Sequence, residues 1–128
     1  MTVVETIGPV VREPDRLQIF LFSAVTWNTH RIHTDPDYAA REGYPDVLVQ
    51  SHLHACFLMD ALRRAVVPQG GRVVRFAWQN RHFAVPGDRL TCEGRKVSED
   101  GPLVGYELQE RNGEGTVCVT ATATVRYD

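Results

Sequence analysis

Cysteine is scarce in this chain: Cys56, Cys92 and Cys118 are the only three in 128 residues, and no two stand in a CxxC spacing. An odd, scattered set argues against a disulfide framework. Because each cysteine lies in an apolar or strand-like run, buried reduced thiols in a reducing compartment are expected. Positive charge is short as well, with 14 Lys and Arg against 16 Asp and Glu and a net charge of −2. No global field draws a polyanion, so nucleic acid is not an expected partner. Nowhere do the roughly 18 apolar residues of a membrane helix run together. Met1-Thr2-Val3-Val4-Glu5 lacks the basic and then apolar segments of a secretory signal, so a cytoplasmic location with no membrane contact is expected. Repeats, low-complexity tracts and linkers are absent too. With 43% hydrophobic residues the chain can bury one core, and residues 1–128 read as a single domain.

The pattern along the chain is that of an α+β domain. Residues 3–11, broken by Gly8-Pro9, suggest an extended arm or edge strand. Residues 16–24 are apolar enough for a strand or a buried helical turn, and periodicity does not choose between them. Asp35-Pro36-Asp37 leading into Tyr38-Ala39-Ala40-Arg41-Glu42-Gly43 predicts a short helix with an Asp cap, proline at its first position and glycine past its end. One long helix is predicted over Ser51–Val67, with Leu53, Cys56, Phe57, Ala61, Leu62 and Ala65 on one face. Leu58, Met59 and Val66 leave little of the other face polar, so protein should surround it. Four period-two runs follow, Arg72–Val85, Arg89–Ser98, Leu103–Arg111 and Thr116–Tyr127, separated by turn-forming residues. They predict a four-stranded antiparallel meander, with an additional strand ahead of the helix, wrapped around that helix.

Chemistry is concentrated in Asn28-Thr29-His30-Arg31-Ile32-His33-Thr34-Asp35, taken as lying between a strand and a helix. Two imidazoles, a carboxamide and a guanidinium at a segment boundary are a typical catalytic grouping. A histidine near pKa 6.5 can give or take a proton at cellular pH, and a neutral amide can hold water without raising that pKa. The competing reading is a polar loop whose histidines merely support Asp35 and the next helix.

The run from Phe22 to Asp35, then Tyr38-Ala39, Gly43-Tyr44-Pro45, Leu48-Val49-Gln50-Ser51 and Phe83-Ala84-Val85-Pro86-Gly87-Asp88, resembles the MaoC-like acyl-CoA dehydratases. It is most similar to their methylfumaryl-CoA (mesaconyl-CoA) hydratase branch. The resemblance implies a hot-dog fold, a long helix enclosed by an antiparallel sheet, and addition or removal of water across the alpha-beta double bond of an enoyl thioester. CoA or a carrier protein would bear the acyl group, and no metal or other cofactor would take part. Asn28 and His33 match the positions where most of the family has Asp and His, which makes them the implied catalytic pair and His33 the proton carrier. The branch carries asparagine there. Ser51 stands where the family usually has glycine at the helix start, flanked by Gln50 and His52, so these three are implied substrate-binding residues. Either the acyl group differs or the serine hydroxyl joins the hydrogen bonding. His30 and Arg31 are further candidates for substrate contact, against structural roles in the loop, with Asp35 the natural partner of Arg31.

The sequence leaves three rival readings open. A metal site on His30/His33 or His52/Cys56, with His54 nearby, lacks a third converging ligand by spacing. A hot-dog thioesterase needs a carboxylate near the helix start, and Asp46 is the one acidic residue close to it. A catalytically silent hot-dog subunit would complete a partner's pocket. The family pairs its hot-dog units, so a homodimer is expected, with a heteromer as the alternative.

Overall fold

The computed structural model, which describes residues 2–128, runs β1 (Thr6–Arg12), α1 (Arg16–Thr26), α2 (Pro36–Arg41), α3 (Ser51–Val66), β2 (Gly71–Asn80), β3 (Leu90–Asp100), β4 (Leu103–Arg111) and β5 (Val117–Tyr127). Single 3-10 turns lie at Arg31–His33 and Val67–Gln69. The five strands form one antiparallel sheet in the order β1-β3-β4-β5-β2. The result is the expected α+β hot-dog: α3 lies against the sheet and touches every strand.

Period and parity explain that packing. Along β5 the odd positions Val119, Ala121, Ala123, Val125 and Tyr127 are buried, while Thr120, Thr122 and Thr124 face the other way. Val104, Tyr106 and Leu108 of β4 share the inner face, and Leu53, Phe57, Leu58, Ala61, Leu62 and Val66 of α3 fill the concavity against them. Each fully buried leucine contributes about 2 kcal/mol. At the end of α3 the backbone of β2 comes so near that a Cβ on Gly71 would stand 2.8 Å from Val125 Cγ1 and 3.0 Å from Val66 Cβ. Only glycine fits there.

Several expectations need correction. The segment ahead of Asn28 is a helix, not a strand: Asp15 Oδ1 accepts from the Gln18 N–H at 2.8 Å and caps α1. The run expected to extend to Val85 stops at Asn80, because the N–H groups of Arg81 and His82 both turn to the Cys118 carbonyl and the chain leaves the sheet. The four later strands are also not one meander. β3, β4 and β5 are, but β2 crosses over to pair with β5 at one edge, and β1 pairs with β3 at the other. Cys92 and Cys118 are buried as expected, whereas Cys56 is exposed on α3.

Candidate active site

α1 ends at Trp27, whose left-handed backbone (φ 57°) is the only positive φ outside glycine among the described residues. That residue turns the chain, and the Asn28 N–H closes back on the Ser23 carbonyl at 3.1 Å. The loop that follows is held by its own polar groups. His30 Nδ1 accepts from the Ile32 N–H at 3.1 Å and caps the 3-10 turn. Arg31 Nη2 donates to Asp35 Oδ2 at 2.9 Å, with its guanidinium 4.8 Å from the Tyr38 ring centroid. Asp35 caps α2 through the N–H groups of Asp37 and Tyr38. Arg31, foremost, holds its carboxyl below the usual range. His30 and Arg31, expected as substrate contacts, thus both spend side-chain atoms on the loop itself.

His33 is placed differently. Its Nδ1 lies 2.8 Å from the Leu48 carbonyl, and because a carbonyl only accepts, Nδ1 carries the proton and Nε2 keeps its lone pair. Half-burial lowers the ring's pKa from 6.5, the Leu48 bond opposes this, and the nearby His30 adds to the lowering. A neutral imidazole with a free Nε2 is a general base ready for use.

The same loop is tied to the start of α3. The Leu48 N–H donates to the Ile32 carbonyl at 3.0 Å, so two bonds join Ile32-His33 to Leu48, three residues before Ser51. Gln50 is fully buried (0% exposed), and its Nε2 donates to the Ile19 carbonyl at 2.7 Å and to Ser23 Oγ at 2.8 Å. Ser23 therefore receives the Asn28 N–H on its carbonyl and the Gln50 amide on its hydroxyl. Gln50 was expected to touch substrate; sealed in the core, it instead braces the loop bearing Asn28 against the helix bearing Ser51.

Gln50 is the N-cap residue of α3 and makes no side-chain cap, and the first intrahelical bond runs from the His54 N–H to the Gln50 carbonyl. The N–H groups of Ser51, His52 and Leu53 precede it, at the positive end of a 16-residue helix. Ser51 Oγ accepts from Trp78 Nε1 at 3.0 Å, and the His52 ring meets the Trp78 ring edge-on at 5.2 Å. An open groove of about 1160 Å³ runs across residues such as Thr6, Gln79, Arg95, Gln109 and Thr122; Trp78 borders it, whereas Asn28, His33 and Ser51 do not.

One polar cluster escaped sequence reasoning. His54 (2% exposed) meets Glu110 (0% exposed) through Nδ1 and Oε1, and Cys92 Sγ donates to Glu110 Oε2 at 3.6 Å. His54, named above only beside a possible metal site, ties the first turns of α3 to β4 and β3. The available signal was parity: Glu110 continues the inward series Val104, Tyr106, Leu108.

Residues 6–86 match the family described as hydroxyacyl-thioester dehydratase type 2 (Htd2). The chain belongs to this family. Over 51 residues this dehydratase-family chain is 49% identical to the mesaconyl-C(4)-CoA hydratase of Chloroflexus aurantiacus, a stretch that is 39% of the chain and 18% of that relative. The chain thus matches less than a fifth of the relative's length. Among solved structures, the ChsH1-ChsH2 complex from Mycobacterium tuberculosis superposes with a TM-score of 0.89 at 20% identity, covering 100% of both chains. The (R)-hydratase from A. caviae involved in PHA biosynthesis gives 0.89 at 19% identity over 99% of this chain and 98% of its own. These two likenesses show the hot-dog fold, and with the family match they agree with the MaoC-like resemblance. Among its described residues no helix is long and apolar enough to cross a membrane.

Proposed function

We propose that this member of the dehydratase family reversibly adds water across the alpha-beta double bond of an enoyl thioester, with His33 as the proton carrier. The observation that carries the reading is the Nδ1 bond from His33 to Leu48, which leaves Nε2 unprotonated on a loop bonded to the start of α3. Asn28 holds the water. Nε2 of His33 removes one of its protons as the oxygen bonds to the beta carbon; the electrons of the double bond move onto the thioester oxygen, which N–H groups at the start of α3 receive. The imidazolium then returns the proton to the alpha carbon, so that His33 ends as it began. No step calls on a metal or redox cofactor.

The thioesterase alternative is less well supported. Asp46, its candidate carboxylate, is occupied by Arg16 Nη2 at 2.9 Å and by the Val47 N–H at 2.7 Å. A paired subunit fits the surface: Leu17, Phe20, Leu21, Val25 and Trp27, on α1 and the residue that ends it, are all exposed. That apolar face supports a dimer with a second hot-dog unit, either another copy or a different chain, and light scattering of the purified protein at micromolar concentration should report twice the monomer mass or a partner's requirement. The function itself is tested by offering short, branched, dicarboxylic and bulky enoyl thioesters, on CoA and on carrier protein, and following gain of one water by mass. At least one should be hydrated; failure of all of them, with the partner supplied, would refute the reading.

A further inference from the structure

Ser51 occupies an unusual position for a serine at a helix start. It is the first helical residue, one past the N-cap, and its hydroxyl caps nothing: the oxygen is turned to β2, where it accepts the indole N–H of Trp78 at 3.0 Å. An indole N–H can only donate, so the direction of this bond is fixed by chemistry. A hydroxyl has one proton to give and two lone pairs. With one lone pair engaged by Trp78, its proton is left to point elsewhere, and among the described residues it meets no acceptor in the hydrogen bonds formed. Ser51 is only half-buried, and its own N–H belongs to the same unpaired set as that of His52. The partner ring is itself fixed: Trp78 projects inward from β2, packs against the core with Phe76 at 6.0 Å, and is met edge-on by His52.

We propose that the Ser51 hydroxyl donates a hydrogen bond to the substrate's thioester oxygen, beside the backbone N–H groups, and that Trp78 is the positioning residue that aims it. This rests on the hydratase reading for where the thioester lies, and deepens it by adding a side-chain donor to that site. Accepting a bond from Trp78 also polarises the hydroxyl, which strengthens its donation as negative charge builds on the oxygen. No covalent bond to Ser51 forms or breaks.

The test reads the carbonyl directly. Butyryl-CoA labelled with ¹³C at the thioester carbonyl cannot be hydrated, and each hydrogen bond to its oxygen lowers the carbonyl stretching frequency, which isotope-edited infrared spectroscopy records for the bound ligand. Wild type should show a downward shift, and Ser51→Ala and Trp78→Phe should each lose part of it. The double variant should lose no more than Ser51→Ala alone. With crotonyl-CoA, Ser51→Ala should lower kcat on the order of 10²–10³-fold with a smaller change in KM, and Trp78→Phe should lower it less. Ser51→Cys, similar in shape but a poor donor, serves should alanine disturb the helix start, and should behave like alanine. An unaltered carbonyl frequency in both Ser51 variants, or no binding of butyryl-CoA by wild type, would overturn the inference. A shifted carbonyl in a wild type that hydrates no enoyl thioester would instead sink the hydratase reading and leave the donor in place.

Discussion

Glu110 and His54 fill space deep in the core where a pair of leucines would serve, and replacing them separately and together distinguishes a coupled pair from two independent residues. Both are essentially inaccessible, and the two carboxylate oxygens of Glu110 are divided between His54 and Cys92. Glu110→Leu leaves the His54 ring buried against hydrocarbon with no acceptor, and His54→Leu leaves the carboxyl with only a weak thiol donor. Breaking one side of such a buried pair costs about 3–5 kcal/mol, a large share of the 5–15 kcal/mol that holds a domain together. For a domain of this length each kcal/mol corresponds to roughly 4 °C in Tm, so either single variant should melt about 12–20 °C below wild type. The double variant removes both needs at once and should recover most of the loss, giving a coupling of at least about 2 kcal/mol. Urea titration followed by circular dichroism, at one fixed protomer concentration because pairing adds to apparent stability, supplies all four corners of the cycle. Single variants that lose less than about 1 kcal/mol, or a double variant as unstable as the sum, would refute the coupling.

Other expectations follow from the same contacts. Gln50→Ala removes a donor from the Ile19 carbonyl and the Ser23 hydroxyl and leaves a void, which should cost about 2–4 kcal/mol by the same titration and slow turnover by loosening the Asn28 loop. Burial lowers the His33 pKa, so the base form persists below pH 6.5 and the acid limb of kcat/KM should have its midpoint below 6.5; Asn28→Asp should move that midpoint upward, because a carboxylate favours the imidazolium. Asp60 is held below its ordinary 3.8 chiefly by Arg12, and also by Arg64. Its stabilising effect is present above that pH and fades as pH falls through the lowered folded value, so Asp60→Asn should flatten the acid end of the stability curve.

What the sequence made legible depended on whether a local signal fixed the outcome. α2 was readable because Asp35, Pro36 and Gly43 mark both of its ends, and α3 because its apolar residues repeat at helical spacing with few polar interruptions. α1 was not, since Leu17, Phe20, Leu21 and Val25 are apolar yet exposed, which erases the contrast between faces on which periodicity relies. The overshoot of β2 to Val85 has a similar cause: alternation continues past Asn80, but bonds from Arg81 and His82 to Cys118, distant in sequence, decide where the strand stops. The crossing of β2 to the far edge is a tertiary choice with no local mark. At the site, the spacing of Asn28 and His33 was visible, whereas the tautomer of His33 depends on Leu48 and the burial of Gln50 depends on Ile19 and Ser23. Those partners meet only in the folded chain.

The central claim is that Nε2 of His33 carries the proton, and the most direct measurement is kcat/KM for the best enoyl-CoA with His33→Ala beside wild type, each shown to be folded by circular dichroism. His33→Ala should lose on the order of 10²–10⁴-fold, the usual worth of general acid–base catalysis, and its remaining activity should no longer show the acid limb. A His33→Ala enzyme that turns over at close to the wild-type rate would contradict the claim.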